Sequence, residues 1–148
     1  MTKLIVMVGI PGSGKSTYAK KHFGKTAQIL SSDALRKELL GDETNQKQND
    51  IVFTELYKRA RGFLILGEDV VIDGTNINVF ERKRVLNNFE DLSVEKIAIV
   101  MNTPIETCYH QNQQRERNVE ESVIDMYAKN FEMPTTSEGF DKIEIIEN

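Results

Sequence analysis

The sequence predicts an α/β protein, with five parallel strands in one sheet and helices flanking it. Three observations carry this reading. Strand and helix signals alternate along the whole chain, the pattern of crossover connections in a parallel sheet. Leu4-Ile5-Val6-Met7-Val8 is an unbroken apolar run, as expected of a strand buried on both faces. A glycine-rich turn joins that run directly to a helix signal. The 148 residues are enough to bury one continuous core, so a single domain over residues 1–148 is expected.

Taken in order, the first strand covers residues 3–8 and the first helix about 15–22, with Gly24 as its stop. A short strand at 27–30 leads through Ser31-Ser32-Asp33 into a helix over 34–40, closed by Gly41. Residues 44–66 read as one helix. Ile51, Leu56, Ala60, Phe63 and Leu64 form its apolar stripe. Val70-Val71-Ile72 is the third strand and ends in Asp73-Gly74-Thr75-Asn76. Asn78, with Glu81 three residues on, starts a helix to about 89. Residues 94–101 form the fourth strand. Thr103-Pro104-Ile105-Glu106 then reads as a capped helix entry, with Thr103 as the cap and Pro104 in the first turn. That helix dissolves in a polar run at 111–118. A helix over 120–131 and a strand over 142–146 complete the chain.

The turn after the first strand is Gly9-Ile10-Pro11-Gly12-Ser13-Gly14-Lys15-Ser16-Thr17. It satisfies G-x-x-x-x-G-K-[ST], the phosphate-loop pattern. Glycines let the backbone turn several N–H groups toward one point, where phosphate oxygens can sit. Gly9, Pro11, Gly12, Ser13, Gly14, Lys15, Ser16 and Thr17 are therefore expected to hold a nucleoside triphosphate such as ATP. Lys15 would reach its β- and γ-phosphates and the Ser16 hydroxyl would bind Mg²⁺.

Composition narrows the setting. The net charge of −4 argues against coating of nucleic acid or anionic membranes, but a local basic surface would suffice for a nucleic-acid end. Candidate clusters are Lys20, Lys21 and Lys25; Arg36 and Lys37; and Arg82, Lys83 and Arg84. Each is equally readable as a solvated helix face. No apolar run reaches membrane-spanning length, and the first strand starts too early to leave room for a signal peptide. One cysteine, Cys108, cannot form an internal disulfide, so a reducing cytoplasm is the expected location. His22 and His110 have no partners at metal-ligand spacing.

Ligands of such sheets bind at the carboxyl ends of the strands, where Asp33 and Asp73 should converge. Phosphoryl transfer needs a group to take the acceptor's proton and cations to spread charge. Asp33 suits the first role, or caps its helix. Arg36, one turn on, would grip a substrate phosphate as a fork, or lie on the surface. Asp73 would stand behind Mg²⁺, buttress Arg36, or serve as a turn residue. Asp73-Gly74-Thr75 lacks a phosphatase nucleophile, because Val71 occupies the position that D-x-D-G-T requires as aspartate. Arg115 and Arg117 belong to a lid over about residues 111–121, or to a solvated helix end.

Together these pieces resemble the kinase domain of phage and animal 5′-polynucleotide kinases, within the P-loop kinase superfamily. Gly9–Thr17 is similar to that family's phosphate loop, and Asp33-Ala34-Leu35-Arg36 to its D-x-x-R element. Ile72-Asp73-Gly74-Thr75-Asn76 resembles its D-x-T-N strand end, and Phe131-Glu132-Met133-Pro134 with Glu138-Gly139-Phe140 its closing segment. Ser32 stands where relatives often carry a basic residue. The resemblance implies ATP-dependent transfer to the 5′-hydroxyl of a DNA or RNA end. It implies Asp33 as general base, Lys15, Arg115 and Arg117 at the transferred phosphate, and Arg36, Asp73, Thr75 and Asn76 on the acceptor side. Transfer to a nucleoside, sugar or other metabolite, or a nucleotide switch without turnover, are the rival expectations.

Overall fold

Strand β1 (Lys3–Val8) sits at the centre because both of its faces are apolar. Leu4, Val6 and Val8 point to one side, and Ile5 and Met7 to the other, each at most 2% exposed. Alternate side chains leave opposite faces of a strand, so β1 feeds two cores at once. The computed structural model describes residues 1–43, 47–116 and 118–148.

The element order is β1, α1 (Lys15–Phe23), β2 (Ala27–Ser31), α2 (Ser32–Leu40), α3 (Asn49–Ile65), β3 (Asp69–Asp73), α4 (Val79–Asn87), β4 (Glu95–Asn102), α5 (Ile105–Gln113), α6 (Glu121–Lys129) and β5 (Lys142–Glu147). The strands lie in the order β2-β3-β1-β4-β5, all parallel. Leu35, Val52, Leu56 and Leu86 pack on one face with Leu4 and Val6. Ala19, with Tyr18 and Phe23 beside it, packs on the other with Ile5 and Met7. Among the described residues no helix is long and apolar enough to cross a membrane.

Three helix starts differ from expectation. α2 begins at Ser32, and its cap is Ser31, whose hydroxyl accepts the Ala34 N–H at 3.0 Å. Asp33 is thereby relieved of capping. α3 begins at Asn49 rather than 44; residues 44–46 of that expected helix lie outside the described residues. α5 begins at Ile105 with Pro104 in the cap position and no side-chain cap bond, so Thr103 is committed elsewhere. Asn78 does cap α4, accepting the Glu81 N–H at 2.8 Å, while the Glu81 carboxylate reaches back to the Ile77 N–H at 3.1 Å.

The loop after β3 is set by a buried ion pair. Arg82 of α4 is fully buried and Glu138 is 5% exposed. Arg82 Nε donates to Glu138 Oε1 at 2.7 Å, Nη2 to Oε2 at 3.3 Å, and Nη1 to the Asn76 carbonyl at 2.9 Å. Glu138 closes a short 3-10 turn, Thr136–Glu138, where it also accepts the Thr135 N–H at 2.8 Å. Breaking one side of such a pair strands the other charge, at a cost of about 3–5 kcal/mol. Glu138→Gln is accordingly expected to lower the unfolding free energy by about 3 kcal/mol, read as a shifted urea midpoint.

Candidate active site

The phosphate loop leaves β1 and turns back through two left-handed glycines, Gly12 (φ 81°) and Gly14 (φ 94°). A Cβ at Gly12 would stand 2.3 Å from the Cys108 carbonyl oxygen, so only glycine fits against α5 there. Gly9 N–H donates to the Thr75 carbonyl at 3.0 Å, and Ser13 N–H to Ile10 at 3.2 Å. The Thr103 hydroxyl donates to the Ser13 carbonyl at 2.8 Å. This replaces the capping role expected of Thr103: its side chain fastens the loop instead.

α1 starts at Lys15 behind Gly14, which supplies no side-chain cap. The first-turn N–H groups therefore have no intrahelical partner and point their dipoles at the loop's concavity. The Ser13 hydroxyl is buried without a partner among the described residues. A glycine cradle, an uncapped helix start and an orphaned hydroxyl fit a bound phosphate chain.

Lys15 Nζ donates to the Ile10 carbonyl at 3.0 Å. Burial pushes its ammonium down to about 8, Asp73 pulls the other way, and the Arg115 guanidinium adds to the depression. That influence places the Arg115 charge within electrostatic reach of Lys15. The Ser16 hydroxyl donates to Asp73 Oδ2 at 2.7 Å. A hydroxyl backed by a carboxylate is the oxygen-donor chemistry that suits Mg²⁺, which takes few protein ligands beside nucleotide phosphates. Among the described residues no group of three or more His, Cys, Asp or Glu could cage a metal. Asp73 thus faces Ser16, not Arg36.

On the acceptor side, Ser31 pairs with Asp73 across β2 and β3, so Asp33 emerges beside the Asp73 strand end. Its carboxylate remains 48% exposed while accepting Arg36 Nη1 at 2.7 Å. Arg36 is only 3% exposed. Asn49 Oδ1 accepts from its Nε at 3.2 Å and its Nη2 at 2.9 Å. The fork expected to face a substrate phosphate is engaged from both sides and holds Asp33 in place. Thr75 meets Gly9 through its carbonyl, and Asn76, at φ 45°, donates its amide to the Met7 carbonyl at 2.8 Å.

Beside these strand ends opens a cleft of about 70 Å³, lined by Ser32, Phe53, Asp73, Thr75, Glu81 and Arg84 among others. The basic cluster at 82–84 is split by the fold: Arg82 is buried in its ion pair, whereas Lys83 and Arg84 are exposed. Past α5, Asn112 is 2% exposed and binds Val119 twice. Its amide donates to the Val119 carbonyl at 2.7 Å, and its oxygen accepts the Val119 N–H at 3.0 Å. The segment bearing Arg115 is closed by that pair, and Tyr109 hydrogen-bonds Asp125 between α5 and α6. Arg117 lies outside the described residues. Sequence reasoning missed Asn49, Thr103 and Asn112 as organisers. Only Thr103 sat in a recognisable pattern, and that pattern pointed to a cap.

A central strand that hands its phosphate loop to an uncapped helix, in a parallel sheet ordered 2-3-1-4-5, defines a P-loop protein of the kinase fold. The chain belongs to the AAA domain family, whose profile matches residues 4–134. A protein of Acanthamoeba polyphaga mimivirus, provisionally named a bifunctional polynucleotide phosphatase/kinase, is 31% identical over 152 aligned residues, covering 97% of this chain and 33% of its own. The bifunctional polynucleotide phosphatase/kinase of Schizosaccharomyces pombe is 29% identical, covering 96% of this chain and again 33% of its own. This chain thus spans about a third of the length of these curated relatives. In fold it is similar to a chain of the Pnkp1/Rnl/Hen1 RNA repair complex (TM-score 0.78, 19% identity, 87% of this chain and 43% of that one). A gluconokinase from Sinorhizobium meliloti 1021 shares the fold too (TM-score 0.65, 16% identity, 98% and 82%).

Bound phosphate favours the charged form of Lys15, and the free ammonium loses its proton as pH passes about 8. ATP affinity should therefore be constant below that pH and fall above it, by up to about tenfold per unit. Calorimetric titration between pH 7 and 9.5 reads this directly; Lys15→Met should bind weakly with no such slope.

Proposed function

We propose that this chain is an ATP-dependent kinase that transfers the γ-phosphate of ATP to the 5′-hydroxyl of a DNA or RNA end, acting as a single domain. The observation that carries the reading is the half-exposed Asp33 carboxylate, braced by buried Arg36, at the strand end next to the phosphate loop. A carboxylate held there serves as a general base for an acceptor hydroxyl. As the acceptor oxygen forms its bond to the γ-phosphorus, its proton passes to Asp33. The bond between the γ-phosphorus and the β,γ-bridging oxygen breaks, and ADP leaves. Lys15 and the first-turn N–H groups of α1 hold the phosphates against the developing charge. Ser16, with Asp73 behind it, would hold Mg²⁺, which when bound neutralises phosphate charge.

Arg115 and Arg117 belong to a lid over about residues 111–121 that excludes water when it engages. Arg36 acts on the acceptor side through Asp33, and Asp73, Thr75 and Asn76 shape the acceptor cleft. The polynucleotide acceptor is supported by the names of the two relatives, which match nearly the whole of this chain. A single buried cysteine suits a reducing cytoplasm.

A metabolite hydroxyl as acceptor is the second reading. The acidic net charge of −4 and the fold shared with a gluconokinase favour it. A screen with γ-labelled ATP, running 5′-hydroxyl oligonucleotides beside sugars and nucleosides, separates the two. Label on oligonucleotides is expected; label on metabolites alone would sink the first reading. Asp33→Asn should lower kcat by about 10²–10⁴-fold and leave ATP affinity essentially unchanged. Full activity in that variant would remove Asp33 from the chemistry.

A further inference from the structure

The cleft beside Asp73 is too small to bury a whole acceptor. It measures about 70 Å³, against roughly 300–1,000 Å³ for pockets that enclose a drug-sized ligand. Only the reacting end of an acceptor fits, and the remainder must run out over the cleft's rim. Three charged residues line it: Asp73, Glu81 and Arg84. Asp73 accepts the Ser16 hydroxyl and Glu81 accepts the Ile77 N–H. Arg84 is therefore the one cation lining the cleft among the described residues, since Arg36 is buried between Asp33 and Asn49.

Arg84 is also pre-oriented. Its guanidinium lies over the Phe53 ring at 4.2 Å from the centroid, and Phe53 lines the same cleft. No carboxylate pairs with it among the described residues. The Tyr57 hydroxyl, buried without a partner among those residues, is close by: burial raises that phenol and the Arg84 charge opposes the rise. A guanidinium flat on an aromatic ring keeps its N–H edges outward, the geometry that grips phosphate in bidentate fashion.

We propose that Arg84, stacked on Phe53, is the specificity-determining residue of the acceptor side and binds the phosphate that follows the acceptor nucleoside. A nucleotide or nucleic-acid end would carry this group; a neutral sugar or a free nucleoside would not. The inference rests on the kinase reading for its reaction, while its binding claim stands on the cleft.

The test compares two acceptors that share a 5′-hydroxyl, thymidine 3′-monophosphate and thymidine, with labelled ATP as donor. In the unaltered protein the phosphorylated acceptor is expected to have the lower KM. Arg84→Ala should raise its KM about 10–100-fold, the worth of one charge-assisted contact. The KM for ATP and the KM for thymidine should stay unchanged, so the preference collapses. Arg84→Lys should restore part of it, because charge returns without the planar fork. A preference that survives in Arg84→Ala, or equal losses on both acceptors, overturns the inference and leaves the kinase reading intact. Anisotropy of a labelled 5′-hydroxyl oligonucleotide, measured with a non-hydrolysable ATP analogue, supplies the second readout. Arg84-dependent binding without transfer supports the inference and overturns the kinase reading. Neither binding nor transfer overturns both.

Discussion

A loop that must offer its own N–H groups to an anion has to be held in shape from outside. That constraint organises this molecule. The Gly9–Thr17 turn is fastened by the Thr75 carbonyl on one flank and the Thr103 hydroxyl on the other, with the Cys108 carbonyl packed against Gly12. Each contact comes from a segment that follows a neighbouring strand, β3 or β4, and those strands flank β1 directly. Sheet order is what brings the fastenings to the loop. The same order places Ser16 against Asp73 and brings Asp33 to the adjoining strand end.

The acceptor side repeats the logic with charge in place of backbone. Asp33 stays open because Ser31 takes over the cap and Arg36 takes one of its oxygens. Arg36 is buried, and its remaining donors reach Asn49 at the start of α3. A carboxylate braced in this way needs little reorganisation when an acceptor arrives.

Much of this was legible in the sequence. Apolar runs of strand length announced all five strands, because burial on two faces leaves no room for polar alternation. The phosphate loop was legible because its glycines answer a local backbone demand. Asp33 and Asp73 could be placed since parallel strands end at one edge. The partners of those residues were not legible. Arg36 reads as a substrate fork until Asn49, thirteen positions on, is seen to occupy it. Thr103 carries the right chemistry for a cap, and its role changed because the Ser13 carbonyl lies across the sheet edge. Pairings set by tertiary proximity leave no period in the chain, which is also why the Arg82–Glu138 pair escaped notice.

Asn76 meets two separate demands. Its backbone sits at φ 45°, which glycine and asparagine adopt more readily than most residues. Its side chain must also donate to the Met7 carbonyl. Glycine satisfies the first demand and has nothing to donate; glutamine can donate but resists the backbone geometry; aspartate tolerates the turn but only accepts when ionised. The tolerated alphabet at this position shrinks to a single letter, in a loop where exposure alone would suggest wide latitude. Variation in this chain is thus to be sought along the helix surfaces, while the turn after β3 is effectively frozen.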